Sequence, residues 1–537
     1  MKALSSKFVH QELSHNNLAE DYYRDVSKIP EKLGIIQKDL GAFYTEKEIV
    51  SYVLQHLEIK DDTTILDPSC GCGSFLFPLY YMAKFTKKPS LFNIYGVDID
   101  ERAVSFTRNA LKSIFDNQFE NISTANILLG DFVFNEFTLA SLTSETGSSN
   151  RVMSEGGFDY IIGNPPYNVK NATKKKVILT TDIHRKIAYI TKNMPIYFIL
   201  KSIELLKKGG TVIFVLPKSL LYVKRYSEFR EYILKNFTIT KIAEIGMKFK
   251  GVRGEQVIVF IRNSPPEDDS QIEFESLSNT KDDEGRSPFL LPQRYFLNKS
   301  SIPVFSDPDV FKVVDHINHI SVNFSNFAEY KVFRGVSLGI KRFIDDPSNL
   351  DRIPSNCCVR GRDLAKGRIR RLGLYTQTGR INLKISELRR PKIVMQNIYS
   401  SESGIISYLD KRGIISTETV TNVFISDPDK LKFFYALLNS KLINFYLFNA
   451  IFCQSRLTMH LDGHYISQIP IIWKDDSNEI REILQIVDQI EDCHDAELKR
   501  LFSKIDTLVY NLFGLNSKMI EVVENTMSKV LSERSKW

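Results

Sequence analysis

The 537-residue sequence predicts an α/β protein in which the first half forms a doubly wound, mostly parallel sheet. Apolar segments of strand length alternate with helical segments between residues 41 and 262, as in strand–helix–strand units. This alternation stops after the charged, proline-containing segment 263–271, and amphipathic helical spacing returns from residue 476. We therefore expect an N-terminal arm, an α/β domain, a linker, a mixed α/β domain and a C-terminal helical region, bounded as 1–40, 41–270, 271–295, 296–475 and 476–537.

The segment 41–57 is the first predicted helix. Thr45 stands at its start as a predicted N-cap, with Glu48 three residues later, which is the spacing of a capping box. Its apolar residues recur at helical spacing at Ile49, Val50, Val53, Leu54 and Leu57. Further on, Gly209 and Gly210 are expected to end a helix that begins near residue 194. The apolar segment QVIVFIR is expected to add a late antiparallel strand.

Polar or glycine-rich groups end four successive predicted strands. In chain order they are Asp67 with the turn Pro68-Ser69-Cys70-Gly71-Cys72-Gly73, Asp98 with Ile99, Asp131 with Phe132, and Asn164. An acid ending the second strand can accept hydrogen bonds from ribose hydroxyls, and glycines let the backbone approach a ligand. Asp98 could equally cap the next helix, and Asp100 competes for the ribose role. No Gly-Lys-Ser/Thr follows the turn, which excludes a P-loop, so the pattern predicts a nucleoside pocket.

The tetrapeptide Asn164-Pro165-Pro166-Tyr167 follows the fourth of these strands. Neither proline can donate to a strand ladder, so the backbone is fixed as a stiff loop. The amide of Asn164 and the carbonyl of Pro165 suit the exocyclic amine of a base, and the ring of Tyr167 suits its flat face. The alternative is a proline-capped loop that ends in an exposed tyrosine.

These motifs, in this order, resemble the gamma-type, TaqI-like and Eco57I-like DNA methyltransferases that modify the N6 amine of adenine. The resemblance covers roughly residues 40–262 and implies a Rossmann-like methyltransferase sheet with S-adenosyl-L-methionine as cofactor. In that family the residue after the threonine is often proline, where this chain has Glu46. The resemblance implies that the cofactor is bound by Thr45, Asp67, Ser69, Cys70, Gly71, Gly73, Asp98, Ile99, Asp131, Phe132 and Asn164.

The same resemblance implies roles for the four residues 164–167. Asn164, Pro165, Pro166 and Tyr167 form the catalytic loop, in which Asn164 and the Pro165 carbonyl hold the target amine. Tyr167 stacks on the target base. Phe249 is a looser match to an aromatic residue on the other side of that base, and a plain core residue is the alternative.

The second half of the chain carries a strongly basic segment. Residues 352–412 hold 14 Lys and Arg against 4 Asp and Glu, a local excess of +10 compared with +7 for the chain. Such a segment beside a base-modifying domain is typical of a DNA-contacting surface, with a solvated basic face as the alternative. The segments 333–339, 389–396 and 437–447 also resemble the specificity domains of TaqI-like enzymes. The expected DNA-binding residues are Arg360, Arg362, Lys366, Arg368, Arg370, Arg371, Arg389, Arg390 and Lys392.

We therefore expect a site-specific adenine methyltransferase that flips its target out of double-stranded DNA, as the modification enzyme of a restriction–modification or host-defence system. Roughly 40 residues precede the Thr45 helix, too few for a nuclease domain. A cognate endonuclease would then be separately encoded, and no obligatory specificity subunit is expected. The alternatives are methylation of an RNA base or a protein glutamine, and a DNA-binding protein that has lost catalysis.

Cysteine usage and hydropathy limit the remaining possibilities. The six cysteines show no C-x-x-C spacing, so no metal site is expected. The longest apolar run is broken by Pro217 and Lys218 and is too short to cross a bilayer. Without an N-terminal signal sequence, the expected location is the cytoplasm of a prokaryote, with no membrane partner.

Overall fold

The computed structural model describes residues 45–60, 62–85, 92–115, 126–134, 156–167, 177–247, 254–277, 288–305, 307–345, 354–375, 383–490, 493 and 495–531. The chain divides into two compact units, Met1–Ser300 and Ser301–Trp537. No helix in the described part of the chain is long and apolar enough to cross a membrane. In the same ranges no group of three or more His, Cys, Asp or Glu side chains could hold a metal ion.

The first unit is an α/β structure. Its described helices are α1 (Lys47–Gln55), α2 (Leu76–Phe85), α3 (Glu101–Phe115), α4 (Asp182–Thr191), α5 (Met194–Leu205) and α6 (Ser227–Asn236). Its described strands are β1 (Thr63–Asp67), β2 (Phe92–Asp98), β3 (Ile127–Leu129), β4 (Phe158–Gly163), β5 (Leu206–Pro217), β6 (Thr238–Gly246), β7 (Gln256–Arg262), β8 (Gln271–Ser276) and β9 (Phe289–Pro292).

These strands form one sheet in the order β3-β2-β1-β4-β5-β7-β6-β8-β9. The first five in this order are mutually parallel, and β7 is antiparallel to both β5 and β6. Strand order reverses between β1 and β4, which is where doubly wound sheets bind their ligands. The predicted doubly wound sheet and its late antiparallel strand are both confirmed.

Helix α1 packs on the sheet through the predicted apolar face. Ile49, Val50, Val53 and Leu54 are buried in the main core of this unit. The predicted N-cap is wrong, however. The residue at the N-cap position is Glu46, in extended conformation and without a side-chain cap hydrogen bond, and the hydroxyl of Thr45 instead accepts a hydrogen bond from Asn164.

Two further expectations in this unit are corrected. Gly209 and Gly210 do not end α5 but lie inside β5. Asn263, the residue after β7, extends the pairing between β5 and β7: the Gly209 N–H donates to the Asn263 carbonyl at 2.8 Å, and the Asn263 N–H donates to the Gly210 carbonyl at 2.7 Å. The segment 271–295, expected to be a linker, supplies β8 and β9 to the same sheet. Ile272 and Phe274 of β8 are buried, so the sheet extends beyond the expected domain boundary.

The second unit mixes short strands with helices. Its described helices are α7 (Pro308–Ile320), α8 (Leu383–Leu388), α9 (Pro428–Asn439), α10 (Lys441–Tyr446, continued by a π-helical turn), α11 (Gly463–Ile466), α12 (Asn478–Ile490), α13 (Asp495–Leu512) and α14 (Ser517–Val530). Its described strands are β10 (Val322–Asn323), β11 (Tyr330–Arg334), β12 (Ile340–Asp345), β13 (Cys357–Val359), β14 (Leu364–Ala365), β15 (Arg368–Ile369), β16 (Arg371–Tyr375), β17 (Lys392–Gln396), β18 (Ile398–Tyr399), β19 (Ser407–Asp410), β20 (Ile415–Ser416), β21 (Val420–Ile425), β22 (Met459–His460) and β23 (Pro470–Ile471).

Two four-stranded sheets organise this unit, in the orders β11-β21-β17-β19 and β12-β16-β13-β20. Helix α9 packs on the first sheet, and α12 packs on both α9 and α13. The expected mixed α/β region and the amphipathic C-terminal helices are therefore present. They belong to one compact unit that begins at Ser301.

Candidate active site

The four predicted groups meet at one edge of the first sheet. Strands β3, β2, β1 and β4 are adjacent and parallel, so their carboxyl ends lie side by side. Asp67 ends β1, Asp98 ends β2, Asp131 follows β3 and Asn164 follows β4. The structure thus brings together groups that are up to 97 positions apart in the sequence, as the pattern predicted.

The Gly-rich turn is held by the acid at the end of β2. Asp98 accepts hydrogen bonds from the Gly71 N–H to Oδ2 (2.7 Å) and from the Asp100 N–H to Oδ1 (2.9 Å). Burial raises the pKa of the Asp98 carboxyl, and these two N–H groups oppose that rise. Asp100 instead binds Arg102, which lowers the pKa of Asp100. Asp98 is therefore the acid that faces the turn, and Ile99 beside it is 52% exposed.

The turn itself packs tightly between β1 and α2. The Cys70 N–H donates to the Val97 carbonyl at 2.9 Å, and the thiol of Cys70 is buried in the core. Gly73 has a left-handed backbone (φ +87°), and a Cβ there would lie 2.4 Å from the ring of Phe77. Ser69 Oγ donates to the Asn164 carbonyl at 3.4 Å. The Cys70 side chain thus serves packing and Gly73 leaves no room for a side chain, so a ligand here would meet the backbone of the turn.

Asp67 is a buried acid at the centre of this edge. It is 1% exposed, and its Oδ1 accepts the Ser69 N–H at 3.1 Å. Burial raises the pKa of Asp67 to about 8, and the charge of Asp98 adds to the rise. Gly163 lies so close that a Cβ there would stand 2.8 Å from Asp67 Oδ1. A buried carboxyl of this kind favours a cationic or hydrogen-bond-donating ligand.

The catalytic loop predicted at residues 164–167 is tied to α1. Asn164 Nδ2 donates to Thr45 Oγ1 at 3.3 Å, and Thr45 is 3% exposed. Pro165 is buried, while Pro166 and Tyr167 are half-buried. Burial raises the pKa of the Tyr167 hydroxyl well above its usual range, which keeps that group neutral at physiological pH. The amide of Asn164 is therefore oriented through its nitrogen by a residue from the start of the domain.

Asp131 and Phe132, which follow β3, make different kinds of contact. Asp131 Oδ1 accepts N–H bonds from Phe134 (3.1 Å) and Val133 (3.3 Å), which fixes the turn after β3. Phe132 is 2% exposed, and its ring lies 5.3 Å from that of Phe198 on α5. Phe249 lies outside the described residues.

Sequence reasoning missed a buried cation at the end of β5. Lys218 is 1% exposed, and its Nζ donates to Glu244 Oε1 at 2.5 Å. Its backbone N–H donates to the Glu255 carbonyl at 2.9 Å. The available signal was a Pro-Lys pair directly after an apolar strand, at the edge that also carries Asn164.

The predicted DNA-binding residues of the second unit differ in exposure and in pairing. Arg362, Arg370, Arg389 and Arg390 are exposed, and Arg368 is half-buried. Arg360 is paired with Asp363 and lies 3.9 Å from the Phe343 ring centroid, and Arg371 is paired with Asp345. Burial lowers the pKa of Lys366 to about 8, and its Nζ lies 4.7 Å from the ring centroid of Phe502.

Lys392 is wrongly predicted as a DNA contact. Its side chain is 0% exposed, and the ammonium is enclosed between Asp410, the Leu388 carbonyl (2.6 Å) and the Ile414 carbonyl (2.9 Å). The expected DNA surface of this unit therefore loses Lys392.

The sheet order and the groups at its strand ends define the first unit as a doubly wound α/β domain with polar groups at the switch point of its sheet. Comparison with known proteins agrees. Residues 92–249 match the family model of the Eco57I restriction-modification methylase, and residues 357–471 match that of the TaqI-like C-terminal specificity domain. The chain is thus similar to Eco57I-like methylases over residues 92–249 and to the TaqI-like specificity domain over residues 357–471, and the methylase match supports S-adenosyl-L-methionine as its cofactor.

Individual relatives cover part of the chain. The Type II methyltransferase M.VspI of Vibrio sp. (strain 343) is 29% identical over 281 residues, 52% of this chain and 60% of that protein. The Type II methyltransferase M.HincII of Haemophilus influenzae is 28% identical over 320 residues, 58% of this chain and 53% of that protein. The chain thus spans little more than half the length of these curated relatives.

Among solved structures, the Type IIL restriction-modification enzyme MmeI in complex with DNA shares the fold. The similarity covers 98% of this chain and 78% of that chain, with a TM-score of 0.51 and 14% sequence identity. At this identity the likeness concerns the fold alone.

Proposed function

We propose that the chain is a site-specific DNA methyltransferase that transfers a methyl group to the N6 amine of adenine in double-stranded DNA. The observation that carries the proposal is the placement of Asn164-Pro165-Pro166-Tyr167 at the carboxyl end of β4, with its amide oriented by Thr45 and next to the acids of β1 and β2. The first unit would carry methyl transfer, and the second unit would select the DNA site.

The residues present fit the proposed cofactor. Carboxylates at the ends of β1 and β2 and after β3 offer acceptors for an ammonium, ribose hydroxyls and an adenine amine in that order. Asp67 would hold the methionine end with Thr45, Asp98 the ribose, and Asp131 the adenine. The exposed Ile99 and the backbone of the turn at Gly71 would cover the nucleoside. When bound, S-adenosyl-L-methionine supplies an activated methyl group, so no metal or strong base is required of the protein.

The catalytic loop would hold the target amine. The Asn164 Oδ1 and the Pro165 carbonyl each accept one N–H of the adenine amine, which draws the nitrogen toward tetrahedral geometry and frees its lone pair for attack. The base must first leave the duplex, at a cost of a few kcal/mol. Stacking on Tyr167 offsets about 1–3 kcal/mol of that cost. The remaining contribution of these residues is positioning, worth up to roughly 7–11 kcal/mol.

Modification of DNA in cells tests the proposal directly. Single-molecule sequencing of DNA from cells that express the chain should show N6-methyladenine in one sequence context. Cells that express the Asn164→Ala variant should lack it. Methylation of RNA or of a protein glutamine by the purified chain, with unmodified DNA, would contradict the proposal.

Cofactor binding should release a proton from Asp67. At pH 7 a carboxyl with a pKa of about 8 is protonated in roughly nine-tenths of molecules, and a cationic ligand favours its ionised form. We therefore expect release of close to one proton on binding at pH 7, and affinity that increases as pH rises toward 8. Calorimetry in buffers of different ionisation enthalpy measures this release. The Asp67→Asn variant should release none, and equal release by both proteins would contradict the assignment.

Replacing Gly163 by alanine should disturb the same carboxyl. The new Cβ would stand 2.8 Å from Asp67 Oδ1 and 3.5 Å from its Cγ, so the acid must move. Such overpacking costs about 1–3 kcal/mol, and we expect weaker cofactor binding together with a lower thermal midpoint. Gly339→Ala is the matched control, because a Cβ there meets nothing within 4 Å. Wild-type cofactor affinity in Gly163→Ala would show that the close approach has no role.

A further inference from the structure

The corner between α4 and α5 lies at the edge of the sheet that carries the catalytic loop. Helix α5 leads directly into β5 and packs against it, so the start of α5 lies near the end of β5. Because β5 is parallel to β4, that end is also the edge where Asn164 stands.

Aromatic contacts confirm this placement. Phe198 in the first turns of α5 lies 5.3 Å from Phe132, and Tyr197 lies 6.4 Å from Phe134. Both partners lie within three residues of Asp131, which follows β3. The α4–α5 corner therefore adjoins the rim of the proposed nucleoside pocket.

The turn Lys224–Tyr226, which follows β5, is joined to the same corner. Arg225 Nε donates to the Ile190 carbonyl at 3.4 Å, and Asn193 Nδ2 donates to the Tyr226 hydroxyl at 3.1 Å. The end of α4 and this turn thus form one continuous surface.

That surface is cationic. Lys192, Lys224 and Arg225 are exposed, and none of the three has a carboxylate partner among the described residues. Tyr189, one helical turn before Lys192, is 76% exposed, with Lys192 Nζ 5.5 Å from its ring centroid. We call Tyr189, Lys192, Lys224 and Arg225 the cationic corner.

Other cations nearby are neutralised. Arg185 is paired with Asp182 at 2.5 Å, and Lys186 lies 3.8 Å from Glu228. Asp182 and Glu228 thus pair with cations in the first half of α4, and not with the cations at the carboxyl end of α4 or on the turn after β5.

We propose that the cationic corner binds the phosphate backbone of the DNA strand beside the target nucleotide. The inference rests on the proposed function, since it requires DNA as the substrate. Three uncompensated cations match the negative charge of a phosphate backbone, and contacts to phosphate position a duplex without reading its sequence. The methyltransferase unit would then help to hold the DNA from which the adenine is extruded, in addition to any contact made by the second unit.

The test is the salt dependence of DNA binding by the full chain carrying Lys192→Ala, Lys224→Ala and Arg225→Ala together. The probe is a labelled 40-base-pair duplex of random sequence, titrated by fluorescence anisotropy between 50 and 200 mM salt. Each lost phosphate contact lowers the slope of log affinity against log salt by about 0.9, so we expect a slope smaller by about 2–3 and binding weaker by about 10- to 100-fold at 100 mM salt. A control variant carries Lys208→Ala and Lys235→Ala, at exposed positions near the amino ends of β5 and β6. It should bind as the wild type does.

The outcomes separate this proposal from the proposed function. If the triple variant keeps the wild-type slope of log affinity against log salt, the cationic corner does not bind phosphate, even if cellular DNA carries methyladenine. A reduced slope without any DNA methylation in cells supports the corner and contradicts the methyltransferase activity. Loss of affinity for RNA of equal length, with unchanged affinity for the DNA duplex, would show that the corner serves another nucleic acid and overturn the proposal.

Discussion

Replacing Asn164 by alanine should lower the rate of methyl transfer by about 10²- to 10³-fold or more, which is the range for removing one positioned polar group that acts on the transition state. The variant should still bind S-adenosyl-L-methionine and DNA nearly as the wild type does. The reason is geometric: Asn164 follows β4, whereas the acids proposed to hold the cofactor belong to β1, β2 and the turn after β3. Single-turnover methylation of a duplex measures the rate, and calorimetry measures cofactor binding.

Thr45→Val is the companion variant. It removes the oxygen that accepts from Asn164 Nδ2 at 3.3 Å but retains the amide itself. Thr45 is also proposed to contact the methionine end of the cofactor, so the rate is compared at saturating cofactor. There Thr45 would act as a positioning residue for Asn164, and its loss should reduce the rate by a smaller factor, on the order of tenfold, as expected for one neutral hydrogen bond. A near-normal single-turnover rate in Asn164→Ala would contradict the role of the loop. A larger loss of rate in Thr45→Val than in Asn164→Ala would contradict the proposal that Thr45 acts through Asn164.

The strand-end groups could be predicted from sequence because they depend only on periodicity. Asp67, Asp98 and Asn164 each follow an apolar segment of strand length, and parallel strands necessarily end at the same edge. The role of Thr45 could not be predicted in this way. Its local pattern fits a helix cap, yet its partner is Asn164, 119 residues away, and a local rule contains no information about that distance.

The sequence of β8 contains a strand pattern, although the segment was expected to be a linker. Ile272 and Phe274 alternate with Glu273 and Glu275, which is the pattern of a half-buried strand. The charged, proline-containing segment just before them favoured a linker instead. The structure pairs β8 with β6, so the alternation was the better guide to the end of this domain.

The local excess of basic residues predicted wrongly that Lys392 contacts DNA, because an excess of charge does not say which side chains are exposed. Arg389, Arg390 and Lys392 form one basic run, and a count assigns no direction to any of them. Lys392 is the first residue of β17, a strand buried on both faces, and its cross-strand neighbour is Asp410 on β19. The arginines stand before the strand and remain exposed. The run therefore divides between surface and core at the point where the strand begins.

The buried pair of Lys392 and Asp410 leads to the largest expected effect on stability. Both side chains are 0% exposed. Asp410 also accepts the Ile414 N–H at 2.8 Å and the Arg412 N–H at 2.9 Å, so both members are fully enclosed by hydrogen bonds. Burial lowers the pKa of Lys392, and the neighbouring carboxylate opposes that change. Removing one partner leaves the other charge buried without compensation, which costs about 3–5 kcal/mol.

Lys392→Met should therefore destabilise the second unit by about 3–5 kcal/mol, while the double variant Lys392→Met with Asp410→Leu should recover much of that loss, because it removes both charges. Tryptophan fluorescence during urea unfolding is a selective measurement, since both tryptophans of the sequence, Trp473 and Trp537, come after Ser301, where this unit begins. Arg390→Ala at an exposed position is the control and should change stability by less than about 0.5 kcal/mol. If Lys392 instead contacted DNA, Lys392→Met would weaken DNA binding at unchanged stability. That result would support the DNA contact that the sequence predicted for Lys392.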